Sequence, residues 1–156
     1  SGEESIRSWT GCLRAEFARL QAMPAPERVR TLDDWMARIA RARELRAFEN
    51  PINPGFTNDI PLMTARQDLW TAVDDRDAAQ GVERSLTVPY EGCHTLFLND
   101  SHNWAGIPSA ELAAMFYPKV KTWKRRLVGT ETLVSIERAR KLLGYEPEFS
   151  ASRFYD

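Results

Sequence analysis

The chain's residue pattern predicts a mixed α+β fold, with a small sheet of about three short strands packed against helices and a helical segment at the N-terminus. Three observations carry this. Residues 4–21 place apolar side chains three and four apart. Beyond residue 68, short strand-like runs alternate with segments that carry helix-start signals. The chain closes on a serine start, a helix apolar on one face and a glycine stop. A length of 156 residues suits one domain with a real core, so we expect a single domain 1–156 in which 1–45 is the helical segment and 46–156 a separate lobe.

In order along the chain, Ile6, Trp9, Leu13, Phe17 and Leu20 make one helical face. Met23-Pro-Ala-Pro26 ends that helix, because proline lacks the amide and restricts its predecessor. A second helix is expected from Thr31, with Asp34 as capping-box partner and Leu32, Trp35, Met36 and Ile39 as its buried stripe. Asn50-Pro-Ile-Asn-Pro-Gly-Phe-Thr-Asn58 reads as a loop with turns. Leu69-Trp-Thr-Ala-Val73 is a short strand, and Asp74 then caps a helix through Leu86, with Asp77 at its third position. His94-Thr-Leu-Phe-Leu-Asn99 is a second strand, with Thr95, Phe97 and Asn99 on one face and His94, Leu96 and Leu98 on the other. Pro108 opens a helix to about Phe116, Trp123–Val128 is a third strand, and Ser135–Leu143 is the closing helix, stopped by Gly144.

Charge narrows the function classes. With 21 basic and 22 acidic residues the net charge is −1, which gives no electrostatic reason to expect nucleic acid or an anionic membrane as partner. The basic clusters Arg38-Arg41-Arg43-Arg46 and Lys119-Lys121-Lys124-Arg125-Arg126 have acids nearby and read as solvated faces. Cys12 and Cys93 are too few for a disulfide framework or a zinc site, and read as reduced thiols of a cytoplasmic protein. No run approaches the ~20 apolar residues of a membrane span, and no signal-peptide core is present. The opening Ser1-Gly2 suggests a cleaved tag, a processed product or an excised fragment.

Three stretches carry a family resemblance: Leu69-Trp-Thr-Ala-Val-Asp-Asp-Arg-Asp-Ala-Ala79, Tyr90-Glu-Gly-Cys-His-Thr-Leu-Phe-Leu98 and Leu133-Val-Ser-Ile-Glu-Arg-Ala-Arg-Lys-Leu-Leu-Gly-Tyr-Glu-Pro147. Over residues 68–149 the chain resembles the C-terminal, substrate-binding part of the NAD-dependent epimerase/dehydratases, the extended short-chain dehydrogenase/reductases. Asn50-Pro-Ile-Asn-Pro-Gly55 is a fainter echo of that family's Asn-x-x-Gly-Pro-Gly stretch. In full-length relatives this lobe closes over a nucleotide-linked sugar or another small carbonyl or hydroxyl compound, so the resemblance implies a small-molecule pocket. It does not imply hydride transfer. No Gly-x-x-Gly-x-x-Gly follows a strand to cradle a dinucleotide, and the family's Tyr-x-x-x-Lys pair would fall on Ser8 and Cys12. The literal match Tyr117-Pro-Lys-Val-Lys121 is a coincidence, since its proline breaks the helix that would align the pair. No cofactor is therefore expected.

Among chemical candidates, Asp74 beside Arg76 reads either as cap and dipole compensation or as an acid/base next to an anion clamp. His94 and His102 are the only histidines, so imidazole chemistry must use one of them. His94 at a strand start reads as structural. His102 lies in the polar loop Asn99-Asp-Ser-His-Asn-Trp-Ala-Gly106, where ligand contacts are often placed. His102 with Asp100 and Asn103 is too local for a metal site, and none is expected. Trp70, Tyr90, Trp104, Tyr117 and Trp123 read mainly as core, yet such a lining also suits a large flat or terpenoid-like ligand. The candidate catalytic residues are thus His102 and Asp74, and the candidate substrate-binding residues Trp70, Arg76, Asn103, Trp104 and Tyr117.

The expected function is a small-molecule-binding domain, a cofactor-independent isomerase, dehydratase or cyclase that encloses an apolar or carbonyl-bearing substrate. Two alternatives stay open. One is a subunit or fragment inactive alone that completes a dehydrogenase with a nucleotide-binding chain. The other is a non-catalytic protein-interaction module. A homodimer or a partner chain stays open alongside the small-molecule substrate.

Overall fold

The computed structural model describes residues 2–44 and 59–155, with the side chains of residues 2, 3 and 6 excepted. Ile6 of the first stripe and the turn-rich stretch 50–58 therefore lie outside the described residues. The described residues divide into two compact units, one ending at Gln67 and the other beginning at Asp68.

The first unit is built from α1 (Gly2–Ala22), α2 (Ala25–Glu44) and α3 (Pro61–Ala65). In α1, Leu13, Phe17 and Leu20 are buried as the spacing predicts, but Trp9 is exposed and Thr10 takes the inward place one residue on. α2 opens at Ala25 instead of Thr31, because Pro26 falls in the first turn, where its missing amide is not needed. The same prolines end one helix and start the next. Its stripe is Trp35, Ile39 and Ala42, and Met36 faces water. Arg28 Nη1 reaches the terminal carbonyls Leu20 and Gln21 of α1, both at 3.5 Å, and so caps it.

Glu16 is the buried charge of this unit. Its Oε2 accepts the amide of Leu62 at 2.7 Å, which ties α3 to α1. Burial pushes its pKa up from the ordinary 4.5, against the Leu62 amide and Arg19, which lower it. A carboxyl whose folded pKa is raised contributes stability that is complete below its unfolded pKa and is lost as pH rises through the folded value. Asp59, paired with Arg38, and Glu146, paired with Arg140, are lowered and act in the opposite sense. The informative quantity is therefore a difference. Relative to Glu16→Gln, which keeps an acceptor for Leu62, the wild type should lose stability between pH 4.5 and 7. Urea unfolding of both proteins at the two pH values checks it, and parallel curves would remove the assignment.

The second unit holds α4 (Asp75–Thr87), α5 (Ser109–Phe116) and α6 (Glu137–Leu143). Asp74 is the N-cap of α4, accepting the Arg76 amide at 3.0 Å, and Gly144 stops α6 in the left-handed region at φ 65°. Ala139 and Leu143 of α6, with Ile136 before it and Tyr145 after it, form a buried cluster against which Leu96 and Leu98 pack. A Cβ at Gly81 would lie 2.4 Å from Leu98 Cδ1, so a larger residue there would require the Leu98 side chain to move aside.

The predicted α+β class is corrected: the protein is mostly helical, with 57% helix, 1% strand and no sheet among the described residues. Leu69 and Trp70 adopt φ of 59° and 53°, left-handed values that a strand cannot contain. Residues 94–99 do alternate, with Leu96 and Leu98 half-buried and Phe97 exposed, but they form no ladder. What remains is a weave of single backbone bonds: Asp100 N to Ala72 O, Trp104 N to Trp70 O, Thr132 N to Ser101 O and Asn103 N to Thr130 O. One isolated bridge joins His102 and Glu131. The predicted third strand, 123–128, is exposed apart from the half-buried Leu127 and takes part in none of these bonds. Among the described residues no helix is long and apolar enough to cross a membrane.

Candidate functional site

α5 and the segment after it build a concave surface on the second unit. The helix Ser109-Ala-Glu-Leu-Ala-Ala-Met-Phe116 buries Leu112, Ala113 and Phe116 and leaves Ala110 and Ala114 exposed. Pro118 stops it, and the chain runs back past the alanines with no further helix. The result is an open cleft of about 540 Å³, with Ala113 and Ala114 in the floor, Tyr117 and Trp123 as aromatic walls and Lys121 and Arg126 as cations. That volume lies in the range of small-molecule sites. Lys121 and Arg126 pair with no acid among the described residues, whereas Arg125 is held by Glu131 Oε2.

Tyr117 connects the cleft to the core. Its ring packs edge-on against Trp70 at 6.1 Å, and Trp70, fully buried, also packs against Phe116 at 5.2 Å. Trp104 donates its amide to the Trp70 carbonyl at 3.0 Å. Trp70, Trp104, Tyr117 and Asn103 thus gather on one side of the unit, although Tyr117 alone of the four lines the cleft.

Asn103 is fully buried and holds the polar loop in place. Its side-chain amide donates to Ile107 O at 2.9 Å, Ser109 Oγ at 2.9 Å and Thr130 O at 3.1 Å, and its backbone carbonyl accepts the Tyr155 hydroxyl. Asp100, also buried, accepts the His102 amide at 3.1 Å, the Ala151 amide at 2.7 Å and the Ser150 hydroxyl at 2.9 Å. These bonds fix His102, half-buried, with Nδ1 3.0 Å from Thr130 Oγ1 and no partner for Nε2 among the described residues. Glu131 links this loop to the cleft, since its backbone bridges His102 and its carboxylate holds Arg125.

Asp74 and Arg76 stand apart from that group. Asp74 Oδ1 and Oδ2 take Arg76 Nε and Nη2 at 2.8 and 2.9 Å, and this guanidinium holds the Asp74 carboxyl well below the usual range. The other face of Arg76 lies 3.5 Å over the Phe149 ring. Asp74 is thereby a capping anion with both oxygens engaged. Tyr145 is the other strongly displaced group: burial pushes its hydroxyl up to about 12, with Asp77 and Asp100 nearby adding to the effect, so it stays neutral.

The sequence candidates omit most of the cleft, Lys121, Arg126 and the alanines of α5, and Trp123 enters only through the aromatic set. The interleaving of Val120 and Trp123 with lysines was the available signal, because a purely solvated face has no use for them. Among the described residues no group of three or more His, Cys, Asp or Glu could hold a metal ion. No protein-family model, curated protein or solved structure matches the chain.

Proposed function

We propose that this chain is a small-molecule-binding protein that derives from the substrate lobe of an epimerase/dehydratase and takes an apolar, carbonyl-bearing compound into the α5 cleft. The observation that carries this reading is the pairing of an apolar alanine floor and two aromatic walls with the unpaired cations Lys121 and Arg126. Such a lining holds a hydrocarbon skeleton while one oxygen takes a charged donor. The chemistry proposed is cofactor-independent isomerisation, dehydration or cyclisation, in which positioning supplies most of the effect, up to ~7–11 kcal/mol in favourable cases. His102 has its ring fixed through Nδ1 and Nε2 uncommitted, but it does not line this cleft, so it is assigned no proton transfer there. Asp74 is not assigned such a role, because Arg76 occupies both of its oxygens. The cytoplasm is the compartment proposed, on the free thiols Cys12 and Cys93.

Trp123 is 43% exposed at the mouth of the cleft, so it can be truncated with little effect on folding. An apolar cyclic ketone such as carvone should quench tryptophan fluorescence saturably, and Trp123→Ala should weaken its binding by about tenfold. A linear, unsaturable response in the wild type would remove the reading.

One observation favours a second reading, a subunit that acts only with a partner chain or a second copy. Val82 and Leu86, one turn apart on α4, are 57% and 82% exposed, and Phe97 is 61% exposed. Sedimentation of the purified chain separates the two readings. A monomer across the micromolar range speaks for the first, and a concentration-dependent dimer for the second.

A further inference from the structure

A second cleft of about 520 Å³ runs beside α6, lined by His94, Ser135, Glu137, Arg138, Lys141 and Leu142. Positions 138 and 141 are neighbours on one helical face, so two cations stand side by side. Arg138 Nη2 faces His94 Nδ1 at 3.1 Å. A guanidinium has only donors, so Nδ1 supplies a lone pair and the imidazole carries its proton on Nε2. That assignment agrees with the other side of the ring, where Nε2 lies 2.7 Å from the Glu91 carbonyl. Gly92, at φ 84°, makes the turn that returns His94 onto Glu91.

Arg138 is therefore oriented by a neutral group and its charge is not cancelled. Lys141 pairs with no acid among the described residues. Glu137, the carboxylate in the lining, accepts from Arg140 at 3.2 Å, an arginine that Glu146 also holds, so one negative charge remains in the lining beside the two positive ones. Ser135 Oγ accepts the Glu137 amide at 3.3 Å, and its own proton is left to donate. Two cations that make no ion pair of their own, against one carboxylate, share one concavity with a hydroxyl donor and the apolar edge of Leu142, and the lining is net positive.

We propose that this cleft binds a phosphate group, either free or carried on a small organic molecule. The remaining N–H groups of Arg138 form a fork suited to two phosphate oxygens, Lys141 adds a point charge, and Ser135 donates to a third oxygen. Leu142 borders the space left for an organic substituent.

The test is calorimetric titration of the full chain with inorganic phosphate and, separately, phenyl phosphate at fixed ionic strength, with amide shifts followed by NMR. Saturable binding is expected, with shifts centred on residues 135–142. Arg138→Gln should weaken it by about tenfold and Lys141→Gln by less. Both side chains are exposed, so the variants should melt with the wild type. Tighter binding of phenyl phosphate assigns a phosphate ester, and equal affinities assign the free ion; either supports the site. Absence of saturation with both probes, or an affinity unchanged in Arg138→Gln, overturns it.

Discussion

Replacing Asp77 by alanine is expected to cost about 3–5 kcal/mol, close to the whole stability of a marginal domain. Asp77 is 2% exposed, and its Oδ1 and Oδ2 accept the amides of Glu148 and Phe149 at 2.9 and 3.0 Å. Hydrogen bonds to a buried charge contribute about 1.5–3 kcal/mol each, and alanine leaves both amides without acceptors. The carboxylate also belongs to the first turn of α4, where negative charge is favoured. Asp77→Asn retains one acceptor and should lose about half as much. Urea unfolding measures the loss, and amide exchange at residues 148 and 149 localises it. A change below about 0.5 kcal/mol, the range of an ordinary surface substitution, would contradict the role.

Trp70→Ala should be comparable, at about 3–5 kcal/mol. The indole is fully buried between Phe116 and Tyr117, so its removal leaves a large cavity. The backbone makes the loss worse. Leu69 and Trp70 both sit in the left-handed region, where a residue with a Cβ is disfavoured by ~1–2 kcal/mol. Packing of the ring holds that conformation, and alanine keeps the unfavourable φ while giving up the packing. Tyr117 also loses the neighbour that fixes it in the cleft, so ketone affinity should fall together with stability. Trp70→Phe fills part of the space and should cost less on both counts. A Trp70→Ala protein that melts with the wild type would show that the indole does not organise this region.

Helix ends were legible in the sequence because their signals are local. Asp74 as N-cap, Pro108 before α5 and Gly144 after α6 each need only their own turn. The strands were not, because a ladder needs a partner that local pattern does not specify. Residues 94–99 have the alternation of a strand, yet α6 covers Leu96 and Leu98 without any ladder. The Leu69–Trp70 turn was hidden for a different reason: nothing in two bulky apolar residues announces a positive φ.

The candidate site divides in the same way. Asp74 and Arg76 were visible as a charge cluster, but their mutual pairing depends on rotamers. Asp77 read as a third-position cap, whereas its oxygens reach the chain 71 and 72 residues away. Lys119 to Arg126 is as exposed as a solvated face should be. Its concavity comes from the alanines of α5, which sit at helical spacing and carry no chemical signature of their own.

The proposal of a small-molecule cleft stands or falls on where a ligand binds. Amide shifts of the full chain titrated with carvone read that location residue by residue. The expected result is saturable shifts concentrated at Ala110, Ala113, Tyr117, Lys121, Trp123 and Leu127. Shifts scattered over both units, or confined to residues outside 110–127, would contradict it.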